Sequence, residues 1–220
     1  MGRRSRGERL QPGFAGAELG DLENACALAE ASFDAYREAT PDERARFLER
    51  SRKIFSPSAM NPSNAAWRKA ACRGGAWRAS GRTVGQLRLF ASVLRDGRYL
   101  DIRIDKALPE WAPMPRPDIR LRHTGLGPVA VFGASNFPLA FSVAERYGLG
   151  AGRRLPFIAK AHSGHPGTSE LVGRAVQRAV RDCGMPEGVF SLLFDSGRQI
   201  SQALVADQRV IVLFNVEKRA

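Results

Sequence analysis

Gly127-Pro-Val-Ala-Val-Phe-Gly-Ala-Ser-Asn-Phe-Pro-Leu-Ala-Phe-Ser142 marks the point where the texture of this chain changes. Val129–Phe132 is a short apolar run bounded by glycines, the pattern of a strand buried on both faces of a parallel sheet. The pattern recurs downstream at Phe157–Ala159, which ends at Lys160, and then at Val189–Phe194 and Val210–Phe214. Leu171, Val172, Ala175, Val176, Ala179 and Val180 recur at helical spacing, and Gly184 is placed to stop that helix. Ile200, Ala203 and Leu204 predict a shorter helix before the last run. Strands alternating with helices predict an α/β fold with a parallel sheet and right-handed crossovers. Ligands in such sheets bind at the carboxyl ends of the strands, which lines up 133–137, 160–164 and 195–197 along one rim.

Upstream the chain reads as helices. Residues 1–20 are polar and glycine-rich, an arm or edge segment. Leu22, Ala25, Cys26, Ala29, Phe33 and Tyr36 fall at helical spacing. Thr40-Pro41-Asp42-Glu43 is a helix start, with Thr40 as N-cap, Pro41 first in the helix and Glu43 placed to reach back to the Thr40 amide. Residues 55–81 break the periodicity, and a helix is expected to resume around Thr83, with Val84, Leu87, Phe90, Ala91 and Leu94 on one face. Four prolines within 105–118 predict a loop.

Composition narrows the function. Of the 220 residues, 44% are hydrophobic and 25% charged, ordinary globular usage. No run is long and apolar enough to span a membrane, and the basic first residues are not followed by an apolar signal core, so a cytoplasmic location is expected. Cys26, Cys72 and Cys183 are scattered, in neither a disulfide framework nor a metal-ligand spacing, and no metal is expected. The net charge of +12 comes from 29 arginines against 5 lysines. These arginines are spread along the chain without a zinc-finger or RNA-binding motif, which argues against a nucleic-acid partner.

The G-x-G-x-x-G dinucleotide fingerprint is absent; Gly125-Leu-Gly-Pro-Val-Ala precedes its strand instead of following it. Topology alone therefore predicts only a nucleotide-sized site. The motifs go further. The strand running into Asn136-Phe137-Pro138 resembles the aldehyde dehydrogenase superfamily. Lys160-Ala-His-Ser-Gly-His-Pro-Gly-Thr-Ser-Glu170 resembles the next block of one branch, which holds the α-ketoglutaric semialdehyde (2,5-dioxovalerate) and bacterial NADP-dependent fatty aldehyde dehydrogenases. Gly81-Arg-Thr-Val-Gly-Gln-Leu-Arg-Leu-Phe90 and Pro186-Glu-Gly-Val-Phe-Ser191 look like the same branch.

The resemblance implies a Rossmann-like cofactor domain, incomplete here, over 121–220, preceded by the N-terminal helical part of the fold over 1–120, with the catalytic domain absent. It implies oxidation of a small aldehyde, α-ketoglutaric semialdehyde or alternatively an aliphatic aldehyde, by NADP, with NAD as the alternative cofactor. It also implies a homo-oligomer, since relatives are oligomeric. Asn136 matches the asparagine whose amide stabilises the oxyanion on the catalytic thiol; by its residues alone it is read as the cap of the helix that follows. Lys160 matches the lysine that bonds the adenosine ribose, against the simpler reading of a solvated strand-end lysine. Ser163 stands where NAD-preferring relatives carry a glutamate that repels a 2′-phosphate, which points to NADP. His162 is read as an assisting group or a plain surface histidine, and Gly197 as a pyrophosphate neighbour or a turn glycine. Phe132, Gly133, Ala134 and Ser135 are expected to line the cofactor groove through main-chain groups.

The resemblance fails in places. The family's catalytic cysteine and general-base glutamate are expected beyond residue 220, and none of the three cysteines falls in the matching motif, so a truncated, inactive fragment is expected, or alternatively a non-catalytic nucleotide-binding remnant or a basic nucleic-acid-binding module. Residues 145–155 hold three glycines and three arginines where relatives have a small-residue helix. That segment, 55–80 and 210–220 read like codons translated out of register, which would also account for part of the arginine excess.

Overall fold

The computed structural model describes residues 13–54, 76–134, 143, 152, 154–195 and 197–213. Among the described residues three helices come first: α1 (Leu19–Glu38), α2 (Pro41–Ile54) and α3 (Ala76–Asp96). The α2 start is the predicted capping box. The Thr40 amide donates to the Glu43 carboxylate at 2.7 Å, and the Glu43 amide donates to the Thr40 hydroxyl at 3.2 Å. Helix α3 begins at Ala76, well before Thr83, which corrects the expected boundary. The apolar stripe does begin at Val84, but elongation onto a formed helix is cheap, and Ala76, Arg78 and Ala79 are good helix formers.

The proline-rich stretch forms the expected loop, but two strands that periodicity did not show flank it. Arg103–Asp105 (β1) and Ile119–Leu121 (β2) pair antiparallel, with Ile104 opposite Arg120, and Leu108 bridges Arg116 between them. These strands were hidden from periodicity because each has three residues, all exposed. Ile102, Ile104, Ile119 and Leu121 consequently present apolar side chains to solvent.

The predicted parallel sheet is present. Its strands are β3 (Val129–Phe132), β4 (Phe157–Lys160), β5 (Phe190–Leu193) and β6 (Ile211–Leu213), ordered β5-β4-β3-β6. Helices α4 (Pro166–Asp182) and α5 (Gln199–Ala206) connect them. Pro166 opens α4, and Gly184, with φ of 63°, follows its end in the left-handed region that stops a helix. Alternation along the strands explains why both faces are apolar. Val129, Val131, Phe157 and Ala159 face a core shared with Phe47, Leu48, Leu87, Leu94 and Val176. Ala130 and Ile158 face the other layer with Cys26, Ala29, Ile200 and Leu204.

A charged clamp ties α1 to the turn before β6. The Arg209 guanidinium donates to both Glu23 carboxylate oxygens at 2.7 Å and also grips Asp207. The Cys26 thiol lies near Asp207. Arg209 above all holds the Asp207 carboxyl down, from 3.8 to about 2. A carboxyl with a depressed folded pKa contributes stability above its unfolded value and loses it as pH falls through the folded one. Arg209→Met is therefore expected to lower Tm by roughly 3 °C at neutral pH. In thermal melts against pH, that difference should close between pH 3.8 and about 2.

Candidate cofactor site

The strand order sets the site. From β3 the chain steps outward to β4 and β5, then returns to the far side of β3 for β6. The crevice outside the carboxyl ends, where this order reverses, is the ligand position of an open α/β sheet. Phe132 and Lys160 are register partners at that end of β3 and β4, and the Gly133 amide donates to the Lys160 carbonyl at 3.0 Å. Phe132, Gly133, Ala134, Lys160 and His162 are half-buried there, while Ser163 and Gly197 are exposed. Expected residues Ser135 and Asn136 lie outside the described residues.

The loop after β4 is built around two histidines. The Gly164 amide donates to His162 Nδ1 at 3.0 Å, which leaves the proton of the neutral ring on Nε2. The His162 and His165 rings stack with centroids 5.3 Å apart. Burial, then His165 and Lys160, pull the His162 pKa below the ordinary histidine value, so the ring is neutral at neutral pH. His165 Nε2 lies 2.9 Å from the Ala134 carbonyl and ties the β4 loop to the turn leaving β3. With Nε2–H donating, His165 Nδ1 is an acceptor, and it is buried without a partner. After β5, the Gly197 amide donates to Asp195 Oδ1 at 2.7 Å, which accounts for Gly197 as a turn residue, while Asp195 Oδ2 is buried and unpartnered.

The sequence placed Asp195 on the rim without a role and did not single out His165. A histidine just before a helix-opening proline, and an aspartate two residues before a glycine at a strand's end, were the available signals. Lys160 makes no ion pair with a carboxylate among the described residues. An open depression of about 390 Å³ beside β5, lined by Gly16, Ala17, Leu28, Gln177 and Phe194, includes none of the predicted residues. Among the described residues no group of histidine, cysteine and acidic side chains could hold a metal ion, and no helix is long and apolar enough to cross a membrane.

Comparison with known proteins defines the class. The model of the aldehyde dehydrogenase family matches residues 12–215, and the chain belongs to that family. It is similar to alpha-ketoglutaric semialdehyde dehydrogenase 2 of Azospirillum brasilense, 50% identical over 94% of this chain and 40% of that protein. It is also similar to the alpha-ketoglutaric semialdehyde dehydrogenase of Acinetobacter baylyi, 42% identical over 83% of this chain and 35% of that protein. The chain thus spans well under half the length of either relative. Its fold matches that of glyceraldehyde-3-phosphate dehydrogenase GapN from Methanocaldococcus jannaschii, solved with NADP, with a TM-score of 0.75 at 17% identity over 94% of this chain and 43% of that one. The salicylaldehyde dehydrogenase of Pseudomonas putida G7 matches with a TM-score of 0.69 at 22% identity over 91% of this chain and 40% of that one.

Proposed function

We propose that this chain supplies the cofactor side of an NADP-dependent semialdehyde dehydrogenase acting on α-ketoglutaric semialdehyde. The observation that carries the proposal is the 50% identity to a curated enzyme of that name across 94% of the chain. In this reading residues 1–120 are the helical entry to the fold, 121–220 form the cofactor unit, and copies of the protein associate, as relatives do. The nicotinamide, when bound, accepts hydride from the aldehyde carbon. The chain's own residues bind and orient it.

The rim's chemistry fits such a guest. Lys160 offers an ammonium with no carboxylate partner among the described residues. Buried His165 Nδ1 and Asp195 Oδ2 are free acceptors, suited to hydroxyl or amino donors of a nucleoside. Exposed Ser163 offers a hydroxyl, and no carboxylate at that position repels a 2′-phosphate. Asn136 is assigned to the oxyanion and Ser135 to the groove by the motif alone. Lys160→Ala is expected to weaken NADPH binding about thirtyfold, the loss of one charge-assisted hydrogen bond, as read by quenching of intrinsic fluorescence.

Neither described cysteine is suited to nucleophilic work. Burial above all, with Asp207 adding to it, pushes the Cys26 thiol up to about 12. Burial and then Asp182 raise Cys183 as well. Only a thiolate attacks an aldehyde efficiently. Neither is therefore expected to carry turnover, and Cys26→Ser should leave any formation of NADPH from NADP and α-ketoglutaric semialdehyde, followed by absorbance, unchanged. Turnover abolished by Cys26→Ser would overturn this.

A further inference from the structure

Arg44 and Arg154 lie close together in the interior, and no carboxylate among the described residues pairs with either. Arg44 is completely buried. Its Nε donates to the Ala39 carbonyl at 3.2 Å, Nη1 to the Gly152 carbonyl at 2.8 Å and Nη2 to the Tyr99 hydroxyl at 2.9 Å. All three acceptors are neutral. Arg154 is only 8% exposed, lies beside Tyr99, and leaves its Nε buried without a partner. Its backbone sits at φ of 66°, in the left-handed region that non-glycine residues rarely adopt. Arg122, exposed directly after β2, adds a third positive charge. Burial, then Arg44, and further Arg122 act against the charge on Arg154.

Half-buried Arg52 and Arg116 also leave a buried Nε without a partner, but two other arginines of this chain are paired with carboxylates. Arg209 is shared between Asp207 and Glu23, and Arg50 is paired with Asp182. Two buried guanidiniums near one another, with only neutral acceptors among the described residues, are an unfavourable arrangement for a core, and an anion between them reverses its sign. The available donors suit an oxyanion. Arg154 Nε is unused, and the Tyr99 oxygen already accepts from Arg44, so its own proton is free to be given. Half-buried Tyr99 and exposed Arg122 open the cluster toward solvent.

We propose that Arg44, Arg154, Arg122 and the Tyr99 hydroxyl form a binding site for a small free oxyanion of phosphate size. The site is separate from the cofactor rim. Arg154 lies three residues ahead of β4, so it stands at the amino end of the strand whose carboxyl end carries Lys160. At about 3.3 Å per residue, roughly 20 Å of chain separates Arg154 from Lys160.

Thermal melts of the intact chain in inorganic phosphate and in chloride at matched ionic strength test the site. Phosphate at ten times its Kd is expected to raise Tm by about 4 °C over chloride. Arg154→Met should lose that phosphate-specific shift, melt above the wild type in chloride, and keep its response to NADPH. Equal melts in phosphate and chloride, or an undiminished shift in Arg154→Met, would overturn the site. Loss of both responses would place the anion at the cofactor rim and overturn it equally. If Arg154→Met does not fold, phosphorus NMR decides. Inorganic phosphate should broaden with the wild type and much less with Arg122→Gln, and identical broadening would contradict the proposal.

Discussion

Ser163→Glu is expected to weaken NADPH binding about a hundredfold while leaving NADH binding within about threefold, because a like charge set against a phosphate costs several kcal/mol. Ser163 is exposed at the end of the β4 loop, three residues past Lys160. Its neighbours are the stacked pair His162 and His165, and the Gly164 amide bonded to His162 Nδ1 keeps that loop in one shape. A glutamate there has room to extend into solvent, so the fold should tolerate it. The charge would then lie where the proposed 2′-phosphate binds. Paired fluorescence titrations with NADPH and NADH read the effect. A parallel loss for both cofactors would mean a damaged loop, and no loss for either would remove Ser163 from the site.

Gly188→Ala is expected to destabilise the protein by about 3 kcal/mol, near the upper end for an inserted methyl. Gly188 lies in the short 3₁₀ turn Glu187–Val189 that leads into β5, and it packs directly on α1. A Cβ at this position would fall on the Leu28 carbonyl and close to the Ser32 hydroxyl oxygen. The obstruction is helix backbone, which cannot rotate away as a side chain can. To make room, α1 must lift from the sheet, or the turn must pull Val189 and Phe190 out of the core, where the Phe190 ring packs 4.8 Å from that of Phe157. The expected fall in Tm is roughly 9 °C by circular dichroism. A Tm within about 2 °C of the wild type would show that α1 and this turn adjust freely.

The parallel sheet was legible because its signal is local. Val129–Phe132 and Phe157–Ala159 are continuous apolar runs, and helices cover both faces of the sheet they form. The α2 cap was legible because a capping box is written in four adjacent residues. The β1–β2 ribbon was not, since its three-residue strands are exposed and are held by partners across four prolines. The start of α3 was missed because elongation onto a formed helix leaves no apolar period to read. At the site, Lys160, His162 and Ser163 were found through a motif, and their clustering at one rim follows from topology. His165 and Asp195 carry their meaning in buried atoms without partners, a property of the packed structure that no spacing reveals. The same holds for Arg44 and Arg154, which are 110 residues apart in sequence and meet only once the helices have packed on the sheet.

The most direct test of the central claim is the affinity of the 220-residue protein for NADPH and NADH, titrated side by side at neutral pH. The account predicts saturable binding of both at one site, tighter for NADPH, with Lys160→Ala weakening it. No binding of either dinucleotide, or a preference for NADH, would contradict it.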